Sequence, residues 1–187
     1  MDGHVEFLSG EYLYLRPVEA ADLERCRSWM NDPEVRRFVC AQWPVDEIGQ
    51  RQWFDKLDRG WSRRDVTFAI VLRDGDRLIG TLGLHGIDWR NRRATTGTLI
   101  GEKDCWGRGY GSEAKRLLLG YAFDTLGLRR IDSEVLANNP RSLACQKKCG
   151  YVEEGRRRQA ILVDGVWVDV IIIGLLSDEW CAASAKK

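Results

Sequence analysis

The sequence predicts an α+β fold around a single sheet, and three patterns carry that prediction. Strand-like alternation recurs along the chain, and helical periodicity interrupts it twice before the middle and twice after. Three strand signals also follow one another with only short turns between them, and the chain closes on a long hairpin. The resulting order is β-α-α-β-β-β-α-β-α-β-β. With 187 residues, 44% of them hydrophobic and 30% charged, the chain is long enough to bury one core. We read one domain over 1–187, with its core at about 11–176 and a frayed polar tail at 177–187.

Each element has its own signal. "EYLYLRPVEAADL" alternates through Leu13 and Leu15 as a strand and stops at Pro17. A helix follows over about 20–30 and ends at "NDP", where Pro33 discourages continuation. "VDEIGQRQWFDKLDRG" is the second helix, with Asp46 and Glu47 in its first turn favourable to the dipole and Gly60 closing it. "VTFAIVL", "RLIGTLGLHGI" and "ATTGTLIG" are three strands, joined by turns at "RDGD" and "NRR". The next helix carries Ala114, Leu117, Leu118, Tyr121 and Ala122 on one buried face. "LRRIDSEVLA" is a strand. "NNPRSLACQKKCG" is a short helix with Asn139 as N-cap, Pro140 at its first position and Gly150 at its end. The last hairpin, "YVEEGRRRQAILVDGVWVDVIIIGLL", turns at Asp164-Gly165.

Composition excludes several classes of function. The 29 basic residues are balanced by 28 acidic ones, which argues against a nucleic-acid surface driven by bulk charge. The longest apolar run, "VIIIGLL", is far short of a membrane span, and no secretory signal is visible, so a cytoplasmic protein is expected. Cys26, Cys40, Cys105, Cys145, Cys149 and Cys181 read as reduced, mostly buried thiols in a chain of this size. Cys145 and Cys149 fall on one helical face, but His4 and His85 lie far from them in sequence and no CxxC occurs, so no metal is expected.

The motif that bears on function is "CWGRGYGSEAKRLLLGYAF". Gly107, Gly109 and Gly111 lie between a strand and an amphipathic helix. That context points backbone amides and a helix N-terminus at an anion, while glycine lets the backbone approach it closely. No Gly-Lys-Ser or Gly-Lys-Thr occurs, which excludes a Walker-type triphosphate loop. Residues 109–114 do spell a relaxed G-x-G-x-x-A, with Asp132 about twenty residues on. The three preceding strands, the terminal hairpin and the polar "GEKDCW" before the glycines all argue against a dinucleotide fold. Coenzyme A is the third reading.

"WGRGYGSEA" resembles the pyrophosphate motif [Q/R]-x-x-G-x-[G/A] of the GNAT N-acetyltransferase superfamily, with Trp106 at the Gln/Arg position. "NNPRSLACQKKCGYVEEG" resembles a second signature found in its ribosomal-protein (RimJ/RimL-like) N-acetyltransferase branch. "DGVWVDV" and "YLRPVEAADL" resemble that branch's last hairpin and opening strand. The resemblance implies the GNAT fold: a central mixed, mostly antiparallel sheet with helices on both faces. It implies acetyl-CoA as co-substrate, a small-molecule or peptide amine as acceptor, and a homodimer. By the same resemblance Gly107, Arg108, Gly109, Tyr110, Gly111 and Ser112 hold the pyrophosphate. Leu99, Ile100 and Asn139 meet the pantetheine arm, and Ser142 protonates the leaving thiolate.

Two departures stand out. A tyrosine that many members use as acid is replaced by Gln146, and a glutamate common before the loop appears as Thr95 or Thr96. Glu134, His85 and Asp169 remain as base candidates, with Asp169 and Trp43 also placed toward the acceptor. A lysine-like amine costs about 4–5 kcal/mol to deprotonate at pH 7, and an α-amine only about 1. A site without an obvious strong base therefore suits the α-amine. Residues 19–64 balance nine acidic against nine basic side chains, which gives no anionic basin for a polyamine. Polyamine or aminoglycoside acetylation and a non-catalytic acyl-CoA-binding domain stay open as alternatives. Direct attack in a ternary complex fits better than an acetyl-cysteine route, for which only Cys105 lies near enough to the loop.

Overall fold

In the computed structural model of the chain, residues 5–39, 43–57 and 64–184 are described. They form β1 (Leu8–Ser9), β2 (Leu13–Pro17), α1 (Leu23–Asn31), α2 (Pro33–Arg36), α3 (Glu47–Asp55), β3 (Val66–Leu72), β4 (Arg77–Asp88), β5 (Arg93–Ile100), α4 (Tyr110–Gly120), β6 (Arg130–Leu136), α5 (Pro140–Lys148), β7 (Val152–Val163), β8 (Val166–Leu176) and α6 (Ser177–Ser184). One eight-stranded sheet runs β1-β2-β3-β4-β5-β6-β8-β7. Every neighbouring pair is antiparallel except β5 and β6. The expected mixed sheet with helices on both faces is therefore present.

The alternation of β2 shows how the two faces divide. Leu13 and Leu15 turn into the main core with Ile70, Leu84, Leu118 and Ile131 beneath α4. Tyr14 turns the other way, onto Ala69, Val71 and Phe54 of α3. Asp46 caps α3 by accepting from the Gly49 amide at 2.6 Å, and the helix ends at Asp55. Gly60 lies outside the described residues, as do His4, Cys40 and Trp61. Pro33, expected only as a stop, also opens the short α2, because proline is tolerated in a first helical turn and Asp32 caps it from the Glu34 amide.

Two connections fix the framework. Asp164 and Gly165 both adopt positive φ, 49° and 80°, and Val163 pairs with Val166 across them, as the expected two-residue turn requires. Glu102 follows β5 and is buried under three donors: Arg25 at 2.6 Å and 2.7 Å, Arg77 at 2.6 Å and the Trp29 indole at 2.7 Å. A side chain on Gly101 would overlap the Trp29 ring at 2.0 Å, so glycine there lets α1 close onto the end of β5.

The tail is a correction. Residues 177–184, expected to fray, form α6. Trp180 packs against Phe123 with ring centroids 6.0 Å apart, and Arg129 pairs with Asp178 at 2.8 Å. A polar segment folded because one aromatic and one ion pair anchor it. The last three residues lie outside the described range.

Candidate active site

The site begins where two parallel strands part. β5 and β6 pair only from Arg93↔Arg130 to Thr95↔Asp132, yet β5 continues to Ile100 and β6 to Leu136. β4 keeps its hold on β5 as far as Ile100, and β8 keeps β6 to Leu136. The sheet therefore opens as a V whose inner edges carry backbone groups a continuous sheet would pair. A hydrogen-bonded chain closes its vertex. Ser133 Oγ donates to the Thr96 carbonyl at 3.1 Å, Gln146 Nε2 donates to Ser133 Oγ at 3.1 Å, and the Thr96 and Tyr151 hydroxyls meet at 3.0 Å.

The V opens into a cleft of about 510 Å³. One wall is the glycine loop with the start of α4, the other α5, and Val35, Phe38 and Val39 cover the mouth. Gly107 and Gly109 stand at φ +77° and +92°, conformations that L side chains rarely adopt, and no atom lies within 4 Å of where their Cβ would be. No side chain caps α4, unlike α3 and α5. Ser112 and Glu113 donate to the Gly109 carbonyl at 3.0 Å, while helix geometry leaves the Tyr110 and Gly111 amides without an intrahelical acceptor. Exposed glycines, uncapped amides and a positive helix end together fit a pyrophosphate.

Trp106 lies between loop and strand. Its indole donates to the Ile100 carbonyl at 2.7 Å, and the Arg141 guanidinium stacks over its ring at 4.1 Å. Arg141 also reaches the Phe38 ring at 5.8 Å, tying the segment after α2 to the loop. Neighbouring residues of β5 face opposite ways. The Leu99 carbonyl turns to Gly80 of β4, while that of Ile100 turns into the cleft side. Asn139 Oδ1 accepts from the Ser142 amide at 3.1 Å, and both residues line the cleft.

The other sequence candidates fall as follows. Glu134 lines the cleft, but its carboxylate is ion-paired with Arg157. His85 lies outside the lining, its ring beside Gly97 and its Nδ1 3.4 Å from Asp65. Asp169 accepts from the Gln159 amide at 2.9 Å and from Arg156 at 3.4 Å, and these bonds hold its carboxyl below the ordinary range. It thereby supports a bulge of β7 rather than lining the cleft. Trp43 is 81% exposed and also stands apart from the lining. Arg108 lies on the outer side of the loop, beside Tyr12 and Glu113. Cys105 lines the cleft, but burial, helped by Asp104, pushes its thiol up and keeps it protonated.

The sequence reading missed Lys115, Cys145, Arg141 and Phe38, which all line the cleft. Lys115 had a readable signal: it precedes Leu118 and Leu119 by one turn, inside the apolar stripe of α4. Among the described residues no group of three or more metal-ligating side chains occurs, and no helix is long and apolar enough to cross a membrane.

Comparison with known proteins gives this geometry a family. The Acetyltransferase (GNAT) domain family matches residues 12–152. The N-acetyltransferase p20 of Bacillus licheniformis is 30% identical over 94% of this chain and 99% of its own. YdaF of Bacillus subtilis (strain 168), provisionally named a ribosomal N-acetyltransferase, is 36% identical over 91% of this chain and 94% of its own. The structure of a spermidine N-acetyltransferase from Vibrio cholerae, in complex with CoA and spermine, superposes with a TM-score of 0.83. It has 22% sequence identity, and the alignment covers 92% of this chain and 99% of that one.

Proposed function

The chain belongs to the GNAT acetyltransferase family, and on that premise we propose that it acetylates an α-amine, a protein N-terminus before a polyamine, by direct attack on acetyl-CoA. One observation carries the choice of acceptor. Among the described residues, the charged side chains lining the cleft are Lys115, Arg141 and Lys148 against Glu134 alone, and Glu134 is already paired with Arg157. A polycationic acceptor would meet two exposed like charges, Arg141 and Lys148, beside the buried Lys115, and one neutralised carboxylate. The apolar lining of Val35, Phe38, Leu136, Ile161 and Val170 suits an uncharged neighbour to the reacting amine instead.

The residues divide the work. The amides at the start of α4 and the open glycines hold the pyrophosphate. The inner edge of β5 at Thr98 and Ile100 pairs with the pantetheine arm, and Asn139 contacts it from α5. Attack by the neutral amine nitrogen forms the C–N bond and breaks the C–S bond. The Ser142 hydroxyl protonates the departing thiolate, and the proton shed by the acylated nitrogen restores that hydroxyl through solvent. An α-amine already reaches its neutral form at a cost of about 1 kcal/mol at pH 7, so no strong base is required. Cys105, protonated and buried, is unsuited to a covalent acetyl intermediate. The similarity to YdaF supports placement in the ribosomal-protein branch, whereas the relatives named for spermidine favour the polyamine reading.

An acceptor screen decides between them. Thioester consumption with acetyl-CoA is followed against peptides with free N-termini, spermidine and an aminoglycoside. Faster turnover of peptides supports the proposal; a clear preference for spermidine overturns the acceptor assignment.

A further inference from the structure

Acetyl transfer leaves one polar cluster in the cleft wall unused. Cys145 Sγ lies against the first turn of α4, 3.7 Å from where a Cβ on Gly111 would stand. Ser112 Oγ donates to it at 3.4 Å. Cys149 Sγ reaches the carbonyl of the same Ser112 at 3.6 Å, so the two sulfurs flank one residue. Lys115, three positions along α4, is 1% exposed, and among the described residues its Nζ has no hydrogen-bond partner. The Tyr151 ring lies 6.0 Å from that ammonium. Cys145 is half-buried and lines the cleft; Cys149 is buried.

A helix N-terminus, a hydroxyl donor and a buried cation around one sulfur all favour the thiolate. Consistently, the neighbouring Cys149 thiol, the Ser112 hydroxyl and the charge of Lys115 hold the Cys145 thiol below its ordinary range despite burial. The thiol of Cys149 is pushed up by the neighbouring Cys145 and by burial. Lys115 thus gains a counter-charge that the hydrogen-bond network alone does not provide.

We propose that Cys145 is a thiol-exchange site in the cofactor cleft, and that its substrate is the disulfide form of the coenzyme. This rests on reading the cleft as the coenzyme site. The Cys145 thiolate attacks one sulfur of the disulfide, forming a mixed disulfide and releasing one coenzyme thiolate, which takes a proton from solvent. Cys149, on deprotonation, then attacks Cys145 Sγ and expels the second coenzyme thiolate, leaving a Cys145–Cys149 disulfide. Two protein thiols are oxidised and one small disulfide is reduced to two thiols. The mixed disulfide places the bound coenzyme moiety beside Gly111 and Ser112 and obstructs acetyl-CoA.

The test incubates the full chain with coenzyme A disulfide or with cystine and maps the modified cysteines by mass spectrometry. With the coenzyme disulfide, Cys145 reacts about tenfold faster than the exposed Cys181. Cys149→Ser accumulates the mixed disulfide, and Cys145→Ser abolishes labelling at this site. Lys115→Met, which removes the buried charge without loss of stability, slows the labelling of Cys145, and Lys115→Arg, which keeps the charge, restores it. Labelling confined to Cys181 overturns the proposal, and equal rates with cystine overturn the coenzyme as its substrate. A melting-temperature rise with reduced coenzyme A, measured separately, tells loss of the thiol site from failure of the coenzyme reading.

Discussion

Gly109 adopts φ +92° where α4 begins, and its side-chain-free face is open to the cleft. Alanine there costs about 1–2 kcal/mol of backbone strain and puts a methyl where, in the proposed function, phosphate oxygens approach. Gly109→Ala is therefore expected to raise KM for acetyl-CoA about tenfold and to lower kcat less. Ser142→Ala tests the acid role through the pH profile. Loss of kcat at high pH, where solvent protonates the thiolate poorly, is expected, and an unchanged profile from pH 6 to 9 removes Ser142 from the mechanism. Lys115 bears on stability. Burial lowers its pKa from 10.5 to about 8, so between these values the unfolded chain holds more protons than the folded one. Wild-type stability accordingly rises with pH through that window, and below pH 8 the full penalty, about 3 kcal/mol, is present. Lys115→Met should gain most of it at pH 7 and progressively less toward pH 10, as measured by denaturant unfolding. The residues of the loop were legible in the sequence because glycine spacing is a local signal. Lys115 and Cys145 were not recognised as a pair because only the packing of α4 on α5 brings them together.

At the scale of elements, the parting of β5 from β6 creates the site, and Glu102 anchors the strand on its outer side. Burial works against the ionised Glu102, but Arg25, Arg77 and the Trp29 indole outweigh it and hold its pKa below the ordinary value. A depressed carboxyl stabilises the fold above its unfolded pKa, and that stability is lost as pH falls through the folded value. Glu102→Gln should cost about 2 kcal/mol at pH 7. Thermal melts of the two proteins should converge as pH falls below the ordinary carboxylate range and through the lowered Glu102 value, and curves that stay parallel at low pH would show that Glu102 ionisation contributes nothing. Nearly every strand and helix was readable, since alternation and caps act within a few residues. β1 escaped because two residues carry no period, and α6 because its stability comes from Trp180 and Asp178 meeting distant partners. The V itself could not be read: β5 and β6 each look like ordinary strands, and only their register shows where pairing ceases.

For the whole molecule, the sheet, the loop and the cleft converge on acyl transfer from coenzyme A to an amine, and in the proposed function the charges of the cleft select among amines. The sequence had already shown no acidic basin between residues 19 and 64. The structure adds that the cleft gathers basic side chains from α4 and α5, which are far from that segment in sequence. The proposed acceptor choice thus rests on the assembled cleft rather than on any motif. The direct measurement is kcat/KM at saturating acetyl-CoA for a peptide with a free N-terminus and for spermidine, by coenzyme A release. Amine-dependent release with the peptide favoured is the predicted result. Tight coenzyme A binding without amine-dependent release, or a preference for spermidine, would contradict it.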